Sequence, residues 1–71
     1  MHREPVESEA LRSIGYDVEQ HTLEIEFTSG SVYRYLDVPA HLHVGLMIAG
    51  SHGTFFAEQI RSAGYDYEQL A

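Results

Sequence analysis

Leu23-Glu24-Ile25-Glu26-Phe27-Thr28-Ser29-Gly30-Ser31-Val32-Tyr33-Arg34-Tyr35-Leu36 is the stretch that decides the fold. Leu23, Ile25 and Phe27 alternate with Glu24 and Glu26, the period of a strand with one apolar and one acidic face. Thr28-Ser29-Gly30 interrupts that alternation and Val32 to Leu36 resumes it, so the stretch reads as a hairpin. A three-residue loop suits the interruption, because Gly30 tolerates the positive φ that its last position requires. That loop pairs Phe27 with Ser31, Ile25 with Tyr33 and Leu23 with Tyr35. Both tyrosines then share the apolar face, and Glu24 faces Arg34 across the other. A cross-strand pair of opposite charge contributes about 0.2–1 kcal/mol. A one-residue slip would turn Arg34 into the core, which selects the first register.

Upstream, Ile14, Tyr16 and Val18 alternate with polar or small residues and give a further strand. A tight Gln20-His21 turn would set Tyr16 beside Ile25 and Asp17 beside Glu24. Residues 1 to 10 carry no such pattern and read as a loosely held head. Downstream, the period changes. Pro39 suits a first helical position, Leu42, Leu46 and Ala49 follow at helical spacing, and Gly50 ends the run. A second helix, capped by Ser51 or Thr54, places Phe56, Ile60 and Ala63 on one stripe and stops at Gly64. Tyr65-Asp66-Tyr67 closes the pattern as a short extended tail. The expected assembly is α+β: a three-stranded antiparallel β-meander followed by two α-helices packed on one face, because neither layer buries its apolar side alone.

At 71 residues the chain has room for one core and one domain. Its composition is that of a globular chain, 44% hydrophobic and 21% charged, which excludes a disordered or fibrous protein. No cysteine is present, which suits a reducing compartment, and no apolar run is long enough for a signal peptide or a membrane span. A cytoplasmic protein is expected. The net charge is −7, and the four basic residues, Arg3, Arg12, Arg34 and Arg61, are all arginines. So few cations exclude a general nucleic-acid coating role, which rests on many phosphate contacts.

Further marks lie along the chain in a fixed order: Ile14-Gly15-Tyr16-Asp17, Leu23, Phe27 and Gly30, Tyr33-Arg34-Tyr35, Val38-Pro39, Ala49-Gly50-Ser51-His52-Gly53, Phe56, Ile60-Arg61 and Tyr65-Asp66-Tyr67. In these the sequence resembles the KTSC family, a small bacterial domain found at the C-terminus of some lysyl-tRNA synthetases and as free-standing short proteins. The resemblance runs from Val6 nearly to the end. It implies a fold more than a function and, through the synthetase context, suggests an association with RNA or tRNA; together with the residues it reads as a small non-catalytic binding module. His52 and Ala57 depart from the family pattern, in which a basic residue and an asparagine are common at those places.

Tyr33-Arg34-Tyr35 has two readings. Strand aromatics beside a guanidinium can stack unpaired bases, and equally they can fill the core with their hydroxyls at its edge. Ser51-His52-Gly53 reads first as a helix cap, and second as an anion cradle that Arg61 reaches from two turns along. The ligand-binding candidates are thus Tyr33, Arg34, Tyr35, Ser51, His52, Gly53 and Arg61. His2, His21, His41, His43 and His52 invite a metal reading, but His41 and His43 point to opposite sides of a helix and no ligand set with zinc spacing appears. The histidines read as solvent-exposed, and neither metal nor cofactor is expected. No nucleophile–base pair is visible, so an enzyme is not expected. Two partner classes stay open: RNA or tRNA, and a protein, including a second copy of this chain. An RNA-gripping surface would gather Arg12, Arg34 and Arg61 on one face, whereas scattered arginines favour a protein partner.

Overall fold

The computed structural model describes all residues, Met1–Ala71. Its elements are β1 (Glu4–Pro5), β2 (Leu11–Asp17), β3 (Thr22–Phe27), β4 (Val32–Tyr35), α1 (Ala40–Ile48), α2 (His52–Phe56) running into one π-helical turn (Ala57–Arg61), and β5 (Tyr67–Gln69). The strands form one antiparallel sheet in the order β1-β2-β3-β4-β5. Both helices lie on one face of it, where Leu46, Phe56 and Ile60 meet Leu11, Ile14, Leu23, Ile25 and Tyr35.

The β3–β4 hairpin has the register that its alternation dictates. Leu23 pairs with Tyr35, Glu24 with Arg34 and Ile25 with Tyr33. Gly30 sits at φ 98° and closes the turn, with the Phe27 amide donating to the Ser31 carbonyl at 2.9 Å.

The β2–β3 register differs from the expected one by two residues. Tyr16 pairs with Leu23 and Asp17 with Thr22, while Ile25 faces Ile14. The Asp17 carboxylate accepts from the Glu19 and Gln20 amides at 2.9 and 3.2 Å, which stops the strand and lengthens the turn to residues 18–21. His21 completes that turn at φ 55°, and Val18, expected in the strand, is 68% exposed. Asp17 therefore does not flank Arg34, because Gly15 lies opposite Glu24. At the other end of β2 a bulge at Arg12 lets Leu11 and Ile14, three residues apart, both turn into the core.

The sheet has five strands rather than three, because each edge gains a short one. Glu4 and Pro5 pair with Ile14 and Ser13, so the head is held along β2. Tyr67 to Gln69 pairs with Tyr35 to Tyr33, so the tail is a strand too. Neither segment is long enough to display a period. Gly15 makes room for the head, since a Cβ there would stand 2.8 Å from the His2 carbonyl oxygen and 2.9 Å from Arg3 Cγ.

In the helical layer Pro39 is the residue before α1, with extended backbone, and Ala49 ends that helix one residue early. Ser51 caps α2 by accepting from the Thr54 amide at 3.2 Å. The expected stripe then breaks. In the π turn the Ser62 amide bonds back five residues to Ala57, so Phe56 and Ile60 are buried but Ala63 falls beyond the turn and is exposed.

Replacing Gly15 with Ala is expected to displace the head and destabilise the domain by about 1–3 kcal/mol, read as a lower urea midpoint at unchanged slope. The Val6 amide, bonded to the Arg12 carbonyl at 3.0 Å, then exchanges its hydrogen faster, whereas unchanged exchange would show that the head does not depend on this glycine.

Candidate functional site

The two faces of the sheet use their polar groups differently. On the face away from the helices, Glu24 is 5% exposed and lies between two cations. Arg34 Nη2 donates to its Oε2 at 2.9 Å and Arg3 Nη1 to its Oε1 at 2.9 Å. Burial pushes the Glu24 carboxyl up, but the hydrogen bonds and charges of Arg34 and Arg3 together outweigh that and hold it below the ordinary carboxylate value. Arg34 also reaches Glu68 at 3.7 Å, and Arg12 reaches Glu26 at 3.6 Å. Three of the four arginines are thus paired with carboxylates.

The helix side ends in an open groove of about 820 Å³. Its floor is tyrosine. Alternation along β4 sends Tyr33 and Tyr35 to this side, and β5 brings Tyr67 opposite Tyr35. Ring centroids lie 5.5 Å apart for Tyr33–Tyr67, 5.7 Å for Tyr35–Tyr67 and 6.3 Å for Tyr33–Tyr35. Phe27 abuts Tyr33 edge-on at 5.7 Å, and Phe56 abuts Tyr35 at 5.5 Å. Exposure rises across the set: Tyr35 is 6% exposed, Tyr33 is half-buried and Tyr67 is 61% exposed. Tyr35 is thus a core residue, Tyr33 packs against the core with part of its ring exposed, and Tyr67 is open to solvent. No protein group bonds the Tyr35 hydroxyl, yet no buried side-chain polar atom lacks a partner, so this hydroxyl opens into the groove. Burial raises its pKa, partly opposed by the Arg61 charge, and Tyr33 and Tyr67 raise it further, so the phenol stays neutral near pH 7.

Arg61 stands in the groove's wall with Gly64, Tyr65 and Asp66. In an α-helix a residue five places after Phe56 would point well away from it, but the wider π turn keeps the two on one side. The guanidinium carbon lies 5.2 Å from the Phe56 ring centroid, and no carboxylate stands within ion-pair distance.

The structure brings together Tyr33, Tyr35 and Arg61 from the sequence-derived candidates and separates the rest. Arg34 is on the opposite face. Ser51, His52 and Gly53 line a second, smaller cleft of about 340 Å³ whose other wall carries Glu7 and Glu9, carboxylates that disfavour an anion there. Their polar groups are also engaged. The Ser51 hydroxyl caps Thr54, and His52 Nδ1 lies 2.7 Å from the Leu46 carbonyl oxygen, a contact that requires Nδ1 to carry the proton. Arg61 does not reach this cleft. Of the histidines expected on the surface, His43 is half-buried and stacks on Tyr16 at 4.9 Å. Burial lowers its pKa, with Glu4 partly opposing. Tyr67 was missed as a site residue because a three-residue edge strand carries no period; the repeat of the β4 Y-x-Y spacing in Tyr65-Asp66-Tyr67 was the signal available.

The fold and the groove define a small α+β domain with an aromatic groove between its last strand and its last helical turn. The KTSC domain model matches residues 7–67, and the chain belongs to the KTSC domain family. A KTSC domain protein from Yersinia pestis has a crystal structure that superposes with a TM-score of 0.93 at 37% identity, covering 99% of this chain and 97% of that one. An uncharacterised protein from Stutzerimonas stutzeri is 43% identical over 99% of both chains. A lysine–tRNA ligase from Nostoc punctiforme is 37% identical over 65 residues, which span 92% of this chain and 11% of the ligase.

Because Glu24 has a lowered pKa in the folded chain, the unfolded chain binds more protons below the ordinary value of 4.5. The stability contributed by this carboxylate is complete above 4.5 and is lost as the pH falls through the folded-state value. A Glu24→Gln variant is expected to have a lower Tm at pH 7 and a flatter fall of Tm between about pH 5 and pH 3 than the parent. Parallel curves would mean that Glu24 does not supply this acid sensitivity.

Proposed function

We propose that this chain is a small, non-catalytic, cytoplasmic binding module that seats an unpaired RNA base in the tyrosine groove, with tRNA as the RNA class. The observation that carries the reading is the pairing of the half-buried Tyr33 with the exposed Tyr67, ring centroids 5.5 Å apart, in the same groove as an arginine that makes no ion pair with a carboxylate. Base–aromatic stacking contributes about 1–3 kcal/mol per base and needs little positive charge. That suits a chain of net charge −7. The similarity to a segment of a lysine–tRNA ligase supports tRNA as the partner class. The groove's polar groups, hydroxyls with Arg61 and Asp66, form no nucleophile–base pair, which supports binding without catalysis.

A second reading, a protein partner or a second copy of the chain, is favoured by the placement of the arginines. Arg3 and Arg34 lie on one face, Arg12 at the β2 bulge and Arg61 in the groove, so no phosphate-tracking surface is assembled. The RNA reading accordingly rests on stacking.

Fluorescence anisotropy with labelled tRNA and short single-stranded RNA, at low and physiological salt, separates the two. Saturable binding is expected, weakened about 5- to 100-fold by Tyr67→Ala. Arg12→Ala, at the β2 bulge and outside the groove, is expected to leave it unchanged. No binding of either RNA at low salt would overturn the RNA reading and leave the protein partner.

A further inference from the structure

The groove's supply of positive charge limits what it can hold. Arg61 is the one arginine that lines it, and the chain has no lysine. The other three arginines are held by Glu24, Glu26 and Glu68. Beside Arg61 the wall continues through Gly64 and Tyr65 to Asp66, a carboxylate, and Glu58 precedes Arg61 on the same π turn. A first phosphate at Arg61 gains a charge-assisted contact. A second, one nucleotide away in either direction, finds no cation and a net acidic protein. The aromatic floor is correspondingly short: Tyr67 is exposed, Tyr33 is half-buried against it, and Tyr35 is a core residue.

We infer that the groove is a seat for one nucleotide, an aromatic base on Tyr33 and Tyr67 with a single phosphate at Arg61, and that it does not follow a strand. This deepens the proposed function and rests on it. Affinity comes from one stacked base and one phosphate, so a nucleoside monophosphate contains the whole recognised unit. Because one phosphate is neutralised, the salt response is shallow. A fourfold rise in salt weakens a single-phosphate contact on a single strand by about threefold, whereas four contacts would lose about fiftyfold.

The test is an NMR titration of the isotope-labelled full chain with adenosine, adenosine 5′-monophosphate, and adenine oligoribonucleotides of two, four and eight residues, at about 50 and 200 mM salt. Shifts centred on Tyr33, Tyr67 and Arg61 are expected, with the monophosphate binding about five- to tenfold more tightly than the nucleoside. Oligonucleotides are expected to gain only the statistical factor for their number of residues and to lose about threefold over that salt range. Arg61→Met, which keeps an apolar stem over Phe56, is expected to bring the monophosphate down to the nucleoside's affinity while leaving adenosine binding and the remaining spectrum unchanged. Affinity that climbs steeply with length, with a salt response of several phosphates, would overturn the one-nucleotide seat and leave the RNA reading standing. Binding of the monophosphate with no binding of any oligonucleotide would support the seat and remove the RNA reading. No shift with any of these ligands would overturn both.

Discussion

The turn closed by Gly30 sets the register on which both faces of the sheet depend. With Ile25 opposite Tyr33 and Leu23 opposite Tyr35, one strand of the hairpin supplies aliphatic core and the other supplies the groove floor. The same register brings Glu24 and Arg34 together on the far side. A shift of one residue would reverse every one of these placements at once, burying a guanidinium and exposing two tyrosines. A positive φ at a single position therefore determines where the charges end up and where the rings do.

Around that hairpin the molecule separates its electrostatic tasks. Glu24 is nearly inaccessible and would carry a heavy desolvation cost alone, but arginines approach it from two directions, one along β4 and one from the head folded over Gly15. That arrangement ties the N-terminal edge to the sheet and leaves those arginines little freedom to meet anything else. On the helix side the balance is opposite, with one cation that rests on a phenyl ring and makes no ion pair. In a protein with eleven acidic residues, an unneutralised guanidinium is a scarce group.

The hairpin was legible because its alternation runs for several residues on each side of a glycine turn, and the helices because Leu42, Leu46, Phe56 and Ile60 recur at helical spacing. The β2–β3 register was not, because Gln20-His21 resembles a tight turn, whereas the Asp17 side chain ends the strand earlier by accepting two amides. Strands of two and three residues leave no periodic trace, so in the sequence β1 looks like part of a loose head and β5 like a tail. The candidate site was half visible. Tyr33, Tyr35 and Arg61 could be named from the sequence, but that they converge, and that Arg34 does not join them, depends on strand pairing and on a helical turn that gains one residue. No local pattern announces such a turn.

The most exposed ring of the groove belongs to its least secured strand. Tyr67 begins β5, three residues at the sheet edge, hydrogen-bonded on one side only. Its neighbours beyond the strand reinforce it through the Leu70 amide on the Val32 carbonyl at 2.7 Å, and the Leu36 amide bonds the Asp66 carbonyl at 2.8 Å. Edge segments of this size open at a fraction of the free energy of global unfolding. The aromatic groove is therefore complete only for the fraction of molecules in which β5 is docked, and the apparent affinity of any ligand that rested on Tyr67 would be scaled by that fraction. Mutations that tighten or loosen the last strand, without touching the groove, would thus act as affinity mutations, and an occupant would in turn clamp the edge shut.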